Sequence, residues 1–299
     1  MTSLFISKST LSLLTGTGLL SLTFSALADP VPNALSLNPP ESNTNDGWFA
    51  NVDKTQEEQP HWMTPLVTVT PRLEEEYRYD EIIQNKAGGT TLTNNGGGKG
   101  LELIPSEHVE VIIGQPGYMS NQTPKTTTSG WTDESLLMKY RFLSANEEHG
   151  NYIVTGFMGV TLPTGSTAFT QNYTVTTPTL AVGKGWGTRD QGVNIQSTYS
   201  KSFPSGNQNI LGEPTVWNTS FQGHFSNYFW PEIETSLTRW QGGIFSGKDQ
   251  LIVTYGIIFG RIPLEGRTRL ILGAGYQTTN MSGFSTFGNG WVTSARLAF

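Results

Sequence analysis

Apolar and polar side chains alternate along much of the chain from about residue 66 to its end. Residues 291–299 show the pattern well, with Trp291, Leu297 and Phe299 at odd positions and Ser294 and Arg296 at even ones. Residues two apart lie on the same face of a β-strand, so a period of two predicts strands with one apolar and one polar face.

This alternation predicts twelve strands. They are separated alternately by short turns and by longer loops. Because antiparallel strands joined in this way form an up-and-down transmembrane barrel, the predicted fold class is all-β, an antiparallel β-barrel of about 12 strands. An even number of strands places both ends of the barrel in the periplasm. The predicted strands are 66–82, 100–105, 108–116, 133–143, 151–163, 178–187, 192–203, 214–225, 228–240, 250–261, 267–278 and 289–299, and the predicted longer loops are 83–99, 117–132, 164–177, 204–213, 241–249 and 279–288.

The charged side chains of these strands are predicted to point into the lumen. A Lys or Arg facing hydrocarbon at the bilayer midplane would cost about 2–4 kcal/mol. The mixture of signs indicates a narrow, weakly selective path or an internally paired plug, because an ion-selective pore would carry rings of one sign. The predicted lumen-lining residues are Arg72, Glu74, Glu76, Arg78, Glu110, Lys139, Arg141, His224, Glu232, Glu234, Arg269 and Arg296.

Two questions about individual side chains stay open at this level. Lys139 and Arg141 could pair with lumen carboxylates or contact a solute directly. In the first predicted strand, alternation places Glu75 on the outward face with Tyr77. Either a bulge near Pro71 shifts the register, or Glu75 lies near a membrane interface.

The amino-terminal part of the chain divides into two predicted segments ahead of a barrel at 65–299. Residues 1–28 carry one cation and an apolar stretch, and end in Ala26-Leu27-Ala28, which is typical of a cleaved signal peptide. Residues 29–64 are rich in Pro, Asn and Asp, without periodicity, and predict a flexible periplasmic arm or a plug of the lumen.

Composition narrows the classes of function. The chain contains 34 Gly, 11% aromatic residues and no Cys, so disulfides and thiolate metal sites are excluded. The formal net charge of −6 argues against nucleic acid as a partner. Aromatic residues near the strand ends would form interfacial girdles of a membrane barrel. The alternative, the core of a soluble β-sandwich, does not explain the alternation of turn and loop lengths.

Catalytic chemistry is not indicated by the four His residues. A hydrolase would need a His beside a nucleophile and an orienting group. His224 with Glu232 and Glu234 could form an acid-base pair or a polar network in the lumen, and the latter is the simpler interpretation. The spacing of His, Asp and Glu suggests no metal site, so we expect a protein that is not an enzyme and has no cofactor.

Two short motifs carry a family resemblance. Residues 130–141 (GWTDESLLMKYR) and 159–165 (GVTLPTG) are similar to elements of the outer-membrane family labelled "MetA-pathway of phenol degradation", a group of transporters. The resemblance runs from about Pro65 to Phe299. It implies a barrel that moves aromatic or other hydrophobic compounds, although a fold does not by itself establish a solute.

The sequence therefore predicts an outer-membrane channel of a Gram-negative bacterium for passive uptake of small solutes. The alternative is a closed barrel with a structural or adhesive role through its external loops. The expected partners are outer-membrane lipid, a small-molecule solute and the barrel-assembly machinery, which would recognise a last strand ending in Phe299. External loop aromatics such as Tyr118, Tyr173 and Phe284 could guide a hydrophobic solute inward.

Overall fold

The computed structural model describes residues 47–97, 99–226, 228–279 and 283–299. The predicted signal peptide, residues 1–28, and the first part of the predicted arm lie outside these residues. None of the helices in the described part is long and apolar enough to span a membrane.

Antiparallel strands make up most of the described chain. Helix α1 spans Trp48–Glu57, a 3-10 turn spans Ala87–Gly89 and a one-turn helix α2 spans Gln208–Leu211. The strands are β1 (Glu76–Lys86), β2 (Thr90–Asn95), β3 (Gly100–Ser106), β4 (Val109–Gly114), β5 (Tyr118–Gln122), β6 (Thr127–Trp131), β7 (Glu134–Ala145), β8 (Tyr152–Leu162), β9 (Val175–Gly187), β10 (Gln191–Lys201), β11 (Phe203–Pro204), β12 (Thr215–Phe225), β13 (Phe229–Arg239), β14 (Asp249–Pro263), β15 (Arg269–Thr278) and β16 (Asn289–Ala298).

Twelve of these strands close into a barrel. They are β1, β3, β4, β7–β10 and β12–β16, each hydrogen-bonded to its neighbours, and β16 pairs with β1 from Glu76↔Ala298 to Asn85↔Asn289. The predicted antiparallel barrel of 12 strands is therefore confirmed. Connections at one end, called here the short-turn end, are 107–108, 146–151, 188–190, 226–228 and 264–268; longer connections leave the opposite, long-loop end.

The two faces of the wall are opposite in character. On β7, Leu136, Met138 and Tyr140 are exposed on the outside, whereas Lys139 and Arg141 are buried inside. Because a soluble protein would hide such an apolar face and expose the charges, this inversion is the signature of a barrel surrounded by lipid. The predicted outward and inward faces of this strand agree with the structure.

The first predicted strand, 66–82, is wrong at its start, because β1 begins only at Glu76. Residues 66–75 precede the wall. Glu75 is consequently buried below the strand, where its carboxylate accepts hydrogen bonds from Ile104 N at 2.6 Å and Trp48 Nε1 at 2.7 Å. A bulge near Pro71 does not explain Glu75, since Glu75 is not part of a strand.

Two predicted external loops, 83–99 and 117–132, also contain regular structure. Strands β2, β5 and β6 form a sheet that continues from the upper half of β1 beyond the barrel, in the order β1-β2-β5-β6. These strands are rich in Thr, Ser and Asn.

The described residues ahead of β1, 47–75, lie across the mouth of the barrel and inside it. Helix α1 lies at the short-turn end, and Lys54 on it contacts Glu107 at 2.7 Å. The following stretch, residues 61–75, runs inside the wall and is called the lumen segment. Its Trp62, Met63 and Leu66 join wall residues such as Trp230 in the main buried cluster.

Candidate functional site

Arginine side chains of the wall hold the carbonyl groups of the lumen segment. Arg296 on β16 donates from Nη1 to Thr64 O at 2.6 Å and from Nη2 to Pro65 O at 2.9 Å. Arg78 on β1 donates to Pro65 O at 3.1 Å and also to Leu66 O. Both guanidinium groups are almost completely buried. Buried carbonyls need such donors, so these two residues fix the segment to the closing seam of the barrel.

Carboxylates on β13 hold the amide groups of the same stretch. Glu232 accepts a hydrogen bond from Leu66 N at 3.0 Å. Glu234 accepts from Val67 N at 2.8 Å and from Thr68 N at 2.6 Å. The backbone N–H groups of this irregular segment therefore donate to wall side chains, in place of the backbone acceptors that a helix or sheet would supply.

The segment next reaches the opposite part of the wall. Thr70 Oγ1 donates to Gln196 Oε1 on β10 at 2.7 Å, and Thr155 Oγ1 on β8 donates to Pro71 O at 2.6 Å. Contacts with β10 and β8 on one side, and with β13 and β16 on the other, show that the segment spans the lumen.

Four of the predicted lumen residues form a buried network of two connected ion pairs around residues 72–74 of the segment. Arg72 pairs with Glu74 at 2.8 Å, and Lys139 pairs with Glu110 at 2.9 Å. The two pairs are connected, since Lys139 Nζ donates to Arg72 O at 3.1 Å and Glu74 N donates to Glu110 at 2.7 Å. Buried charges are tolerated when they are paired and hydrogen-bonded in this way.

Leu66 and Trp62 of the lumen segment pack on parts of the wall that carry no side chains. A Cβ atom on Gly273 would lie 2.4 Å from Leu66 Cδ2, and one on Gly183 would lie 2.5 Å from Trp62 Cζ3. The wall is therefore shaped for these two side chains. The glycines concerned are Gly256, Gly273 and Gly275 around Leu66, and Gly183 and Gly185 around Trp62.

Replacing Gly273 with Val is expected to displace Leu66. Other atoms lie at ordinary contact distance, Ile258 Cγ1 at 3.5 Å and Ile257 O at 3.6 Å, so Leu66 is the obstacle. Loss of a buried Leu contact is worth about 2 kcal/mol or more. Hydrogen exchange of residues 62–68 should then accelerate about thirtyfold, measured by mass spectrometry.

The matched control is the double variant Leu66→Ala/Gly273→Val. The two sites share one contact, so their effects on exchange should be strongly non-additive, with the double variant close to Leu66→Ala alone. Additive effects would show that Gly273 and Leu66 act independently and would contradict the packing described above.

Charged contacts tie helix α1 to the short-turn end. Arg267 donates to both carboxylate oxygens of Asp53, at 2.8 and 2.6 Å, and this hydrogen-bonded ion pair lowers the pKa of Asp53. On the opposite side Arg141 donates to Thr55 O at 2.9 Å and pairs with Glu58 at 3.0 Å. The helix is held across the mouth by two sides of the barrel.

The entry of the segment into the lumen is fixed by His61. Its ring Nδ1 lies 2.7 Å from Glu147 Oε2, and its backbone N–H donates to Glu147 Oε1 at 2.7 Å. Burial alone would raise the pKa of Glu147, but the hydrogen bonds from His61 bring it down to about 2. Arg261 Nη2 donates to His61 O at 2.7 Å and to Trp62 O at 3.0 Å.

Two predicted lumen residues lie apart from these contacts. His224 stacks on Trp230 with ring centroids 4.3 Å apart, and its Nε2 lies 3.0 Å from Thr188 O. Arg269 is half-buried near the short-turn end and donates to the carbonyls of Gly266 and Thr268. His224 is not hydrogen-bonded to Glu232 or Glu234 in the described structure, so an acid-base pair is not assembled there.

Sequence reasoning missed several residues that contact the segment. Arg261 and Gln196 lie inside the wall, and His61 lies ahead of it in the lumen segment. Alternation could have indicated Gln196, since Asn194, Gln196 and Thr198 share the inward face of β10. Arg261 has no such signal because β14 is irregular there: the pairing with β15 shifts between Phe259 and Ile262, and Arg261 has a positive φ of 60°.

The long-loop half of the lumen differs from the half that holds the ionic contacts. Its inward side chains include Thr198, Asn218, Gln250, Thr254 and Gln277, which are neutral hydrogen-bonding groups. Within the described residues, no group of three or more His, Cys, Asp or Glu is arranged to hold a metal ion.

Comparison with known proteins gives only distant likenesses. No family model matches the chain, and no curated protein matches it. Among solved structures, the NanC porin has a TM-score of 0.47 at 12% identity, covering 74% of this chain and 98% of that one. The COG4313 outer membrane channel from Pseudomonas putida F1 has a TM-score of 0.48 at 12% identity, covering 74% and 92%, and the KdgM porin has 0.42 at 9%, covering 74% and 99%.

The class of protein follows from the strand pairing and the inverted faces themselves. A closed barrel leaves no unpaired strand edge, which a hydrocarbon environment requires. Exposed rings such as Trp186 on β9, Trp217 on β12 and Trp291 on β16 lie near the ends of wall strands. The chain is an outer-membrane β-barrel of the Gram-negative type, and by the usual rule its short-turn end faces the periplasm.

Proposed function

We propose that this barrel is an outer-membrane channel for small solutes, and that residues 47–75 are the plug that limits passage through it. The observation that supports the proposal is the way the lumen is filled. A continuous peptide segment spans it, and the segment is held largely by hydrogen bonds and ion pairs with the wall. Water can replace such partners when the plug shifts, which leaves a polar passage.

The proposed solute is a small hydrophobic or aromatic compound. The resemblance of the KYR and LPTG elements to the transporter family supports this class, although no family model matches the chain. Three rings at the long-loop end also support it: Trp240, Phe245 and Phe284 contact one another with centroids 5.2–5.7 Å apart. An aromatic cluster there offers a first contact for such a solute.

A structural or adhesive role is the alternative. The sheet of β2, β5 and β6 favours it, because it extends the wall beyond the barrel at the end that would face the outside. Shortening the tip of the β5–β6 hairpin, residues 123–126, tests this alternative. A channel without adhesive function would still conduct after that change.

Solute entry into proteoliposomes tests the proposal. Liposomes containing the refolded chain are placed in isotonic solutions of glycerol, benzyl alcohol or sucrose, and swelling is followed by light scattering against protein-free liposomes. We expect protein-dependent entry of the two small solutes and exclusion of sucrose. Equal rates with and without protein, for this chain and for variants that release the plug, would contradict a channel.

A further inference from the structure

A cavity of about 200 Å³ lies between the lumen segment and the long-loop half of the wall. Val69 of the segment lines one side, Lys99 just ahead of β3 lines another part, and the remainder comes from β4, β7, β8 and β9. Its lining combines apolar side chains with hydroxyl groups, represented by Ile112 and Leu137 and by Thr161 and Thr177.

Lys99 is the one charged residue among the described residues that line this cavity. Its Nζ is buried and has no hydrogen-bond partner in the described structure. Lys99 lies between β2 and β3 and directly precedes β3. A buried ammonium without a partner is costly, so this position favours an anion that would supply one.

The charged groups that face Lys99 do not provide that partner. Arg78 and Asp80 on β1 pair with each other at 2.8 Å, and Arg296 on β16 is engaged with backbone carbonyls. Glu102 on β3 adds an opposing negative charge, yet Lys99 Nζ makes no hydrogen bond with it in the described structure. Arg78 and Arg296 add to the positive potential around Lys99.

We propose that the cavity binds a small organic anion with a single ring, such as an aromatic carboxylate, with its carboxylate at Lys99. The ring would lie against Val69, Ile112 and Leu137, and the hydroxyl groups would complete the hydrogen bonds. A dry cavity of about 150 Å³ holds benzene, so about 200 Å³ has room for one ring and a carboxylate. This inference rests on the proposed function, because a channel gives the solute its route to the site.

Three probes that share a ring and differ in charge test the site. Binding of benzoate, benzyl alcohol and benzylamine to the full refolded chain is measured by isothermal titration calorimetry. Benzoate should bind about tenfold more tightly than benzyl alcohol, because its hydrogen bond to Lys99 is charge-assisted, and benzylamine should bind most weakly.

Lys99→Gln should remove the preference for benzoate. Folding should persist, since the substitution removes a buried unpaired charge. Lys125→Gln is the matched control, because Lys125 is exposed in the β5–β6 hairpin. Gly159→Val should fill the cavity and abolish binding of all three probes; a Cβ there would meet Thr177 O at 3.5 Å, an ordinary contact.

Each outcome decides between the site and the channel. Equal benzoate affinity for the natural chain and Lys99→Gln, or undiminished binding to Gly159→Val, would overturn the site. Solute flux without benzoate binding would overturn the site and leave the channel intact. Benzoate binding that depends on Lys99, without flux in any variant, would support the site and overturn the proposed function.

Discussion

Removal of residues 47–70 is expected to raise the single-channel conductance severalfold in planar bilayers. The deletion takes away helix α1 and most of the lumen segment, and leaves Glu75 with its contacts to β3. Eight-stranded barrels are filled by their own side chains, whereas a twelve-stranded wall has space that the segment occupies here. A freed lumen should fill with water and carry ions.

The folded state of the deletion variant needs its own control. Heat-modifiable migration on gels and the strand content by circular dichroism should match those of the intact chain. A folded variant whose conductance equals that of the intact chain would show that residues 47–70 do not limit passage.

Arg296→Met is expected to release the plug without shortening the chain. The guanidinium donates two hydrogen bonds, to Thr64 O and Pro65 O, in a buried setting. A hydrogen bond to a charged group is worth about 1.5–3 kcal/mol, so losing both should cost about 3 kcal/mol or more. The displaced state of the lumen segment should become at least about a hundredfold more populated, visible as faster hydrogen exchange in residues 62–68 and as a higher open probability.

Arg239→Met is the matched control for this experiment. Arg239 pairs with Asp249 at 3.1 Å at the long-loop end, where its side chain is 67% exposed, so the pair is worth about 0–1 kcal/mol at most. Exchange in the wall strands separates plug release from loss of the barrel. If Arg296→Met and Arg239→Met exchange alike in residues 62–68, Arg296 is not an anchor of the plug.

The wall of the barrel could be predicted from the sequence because lipid imposes a period of two. Tyr255 and Phe259 on β14 and Trp291 on β16 are exposed as the alternation requires. The same rule misplaced the start of β1. An extended segment that contacts the wall from within also alternates, as Arg72 and Glu74 do, so period alone cannot separate it from a strand.

Helix α1 could not be predicted from an apolar pattern in the sequence. Helix α1 buries Val52 and Thr55, and is fixed chiefly by polar contacts from Gln56, Lys54 and Asp53. Its sequence therefore lacks the amphipathic stripe of a packed helix. The candidate site was predicted as a set of inward charges, and Lys139 pairs with Glu110, a lumen carboxylate. The partners of Arg296, Glu232 and Glu234 could not be predicted, because they are backbone atoms of the segment.

Glu75 affects how long the plug can stay displaced from the lumen. Its backbone oxygen accepts a hydrogen bond from Phe299 N at 3.1 Å, and its carboxylate binds Ile104 N, so the first, second and last strands of the barrel meet at this residue. The lumen segment is therefore tethered to the wall only a few residues from the side chains that bind it. A tethered peptide rebinds at an effective concentration in the millimolar range, whatever the protein concentration. Openings of the lumen should therefore be brief, and their duration should not change when the barrel is diluted in the membrane.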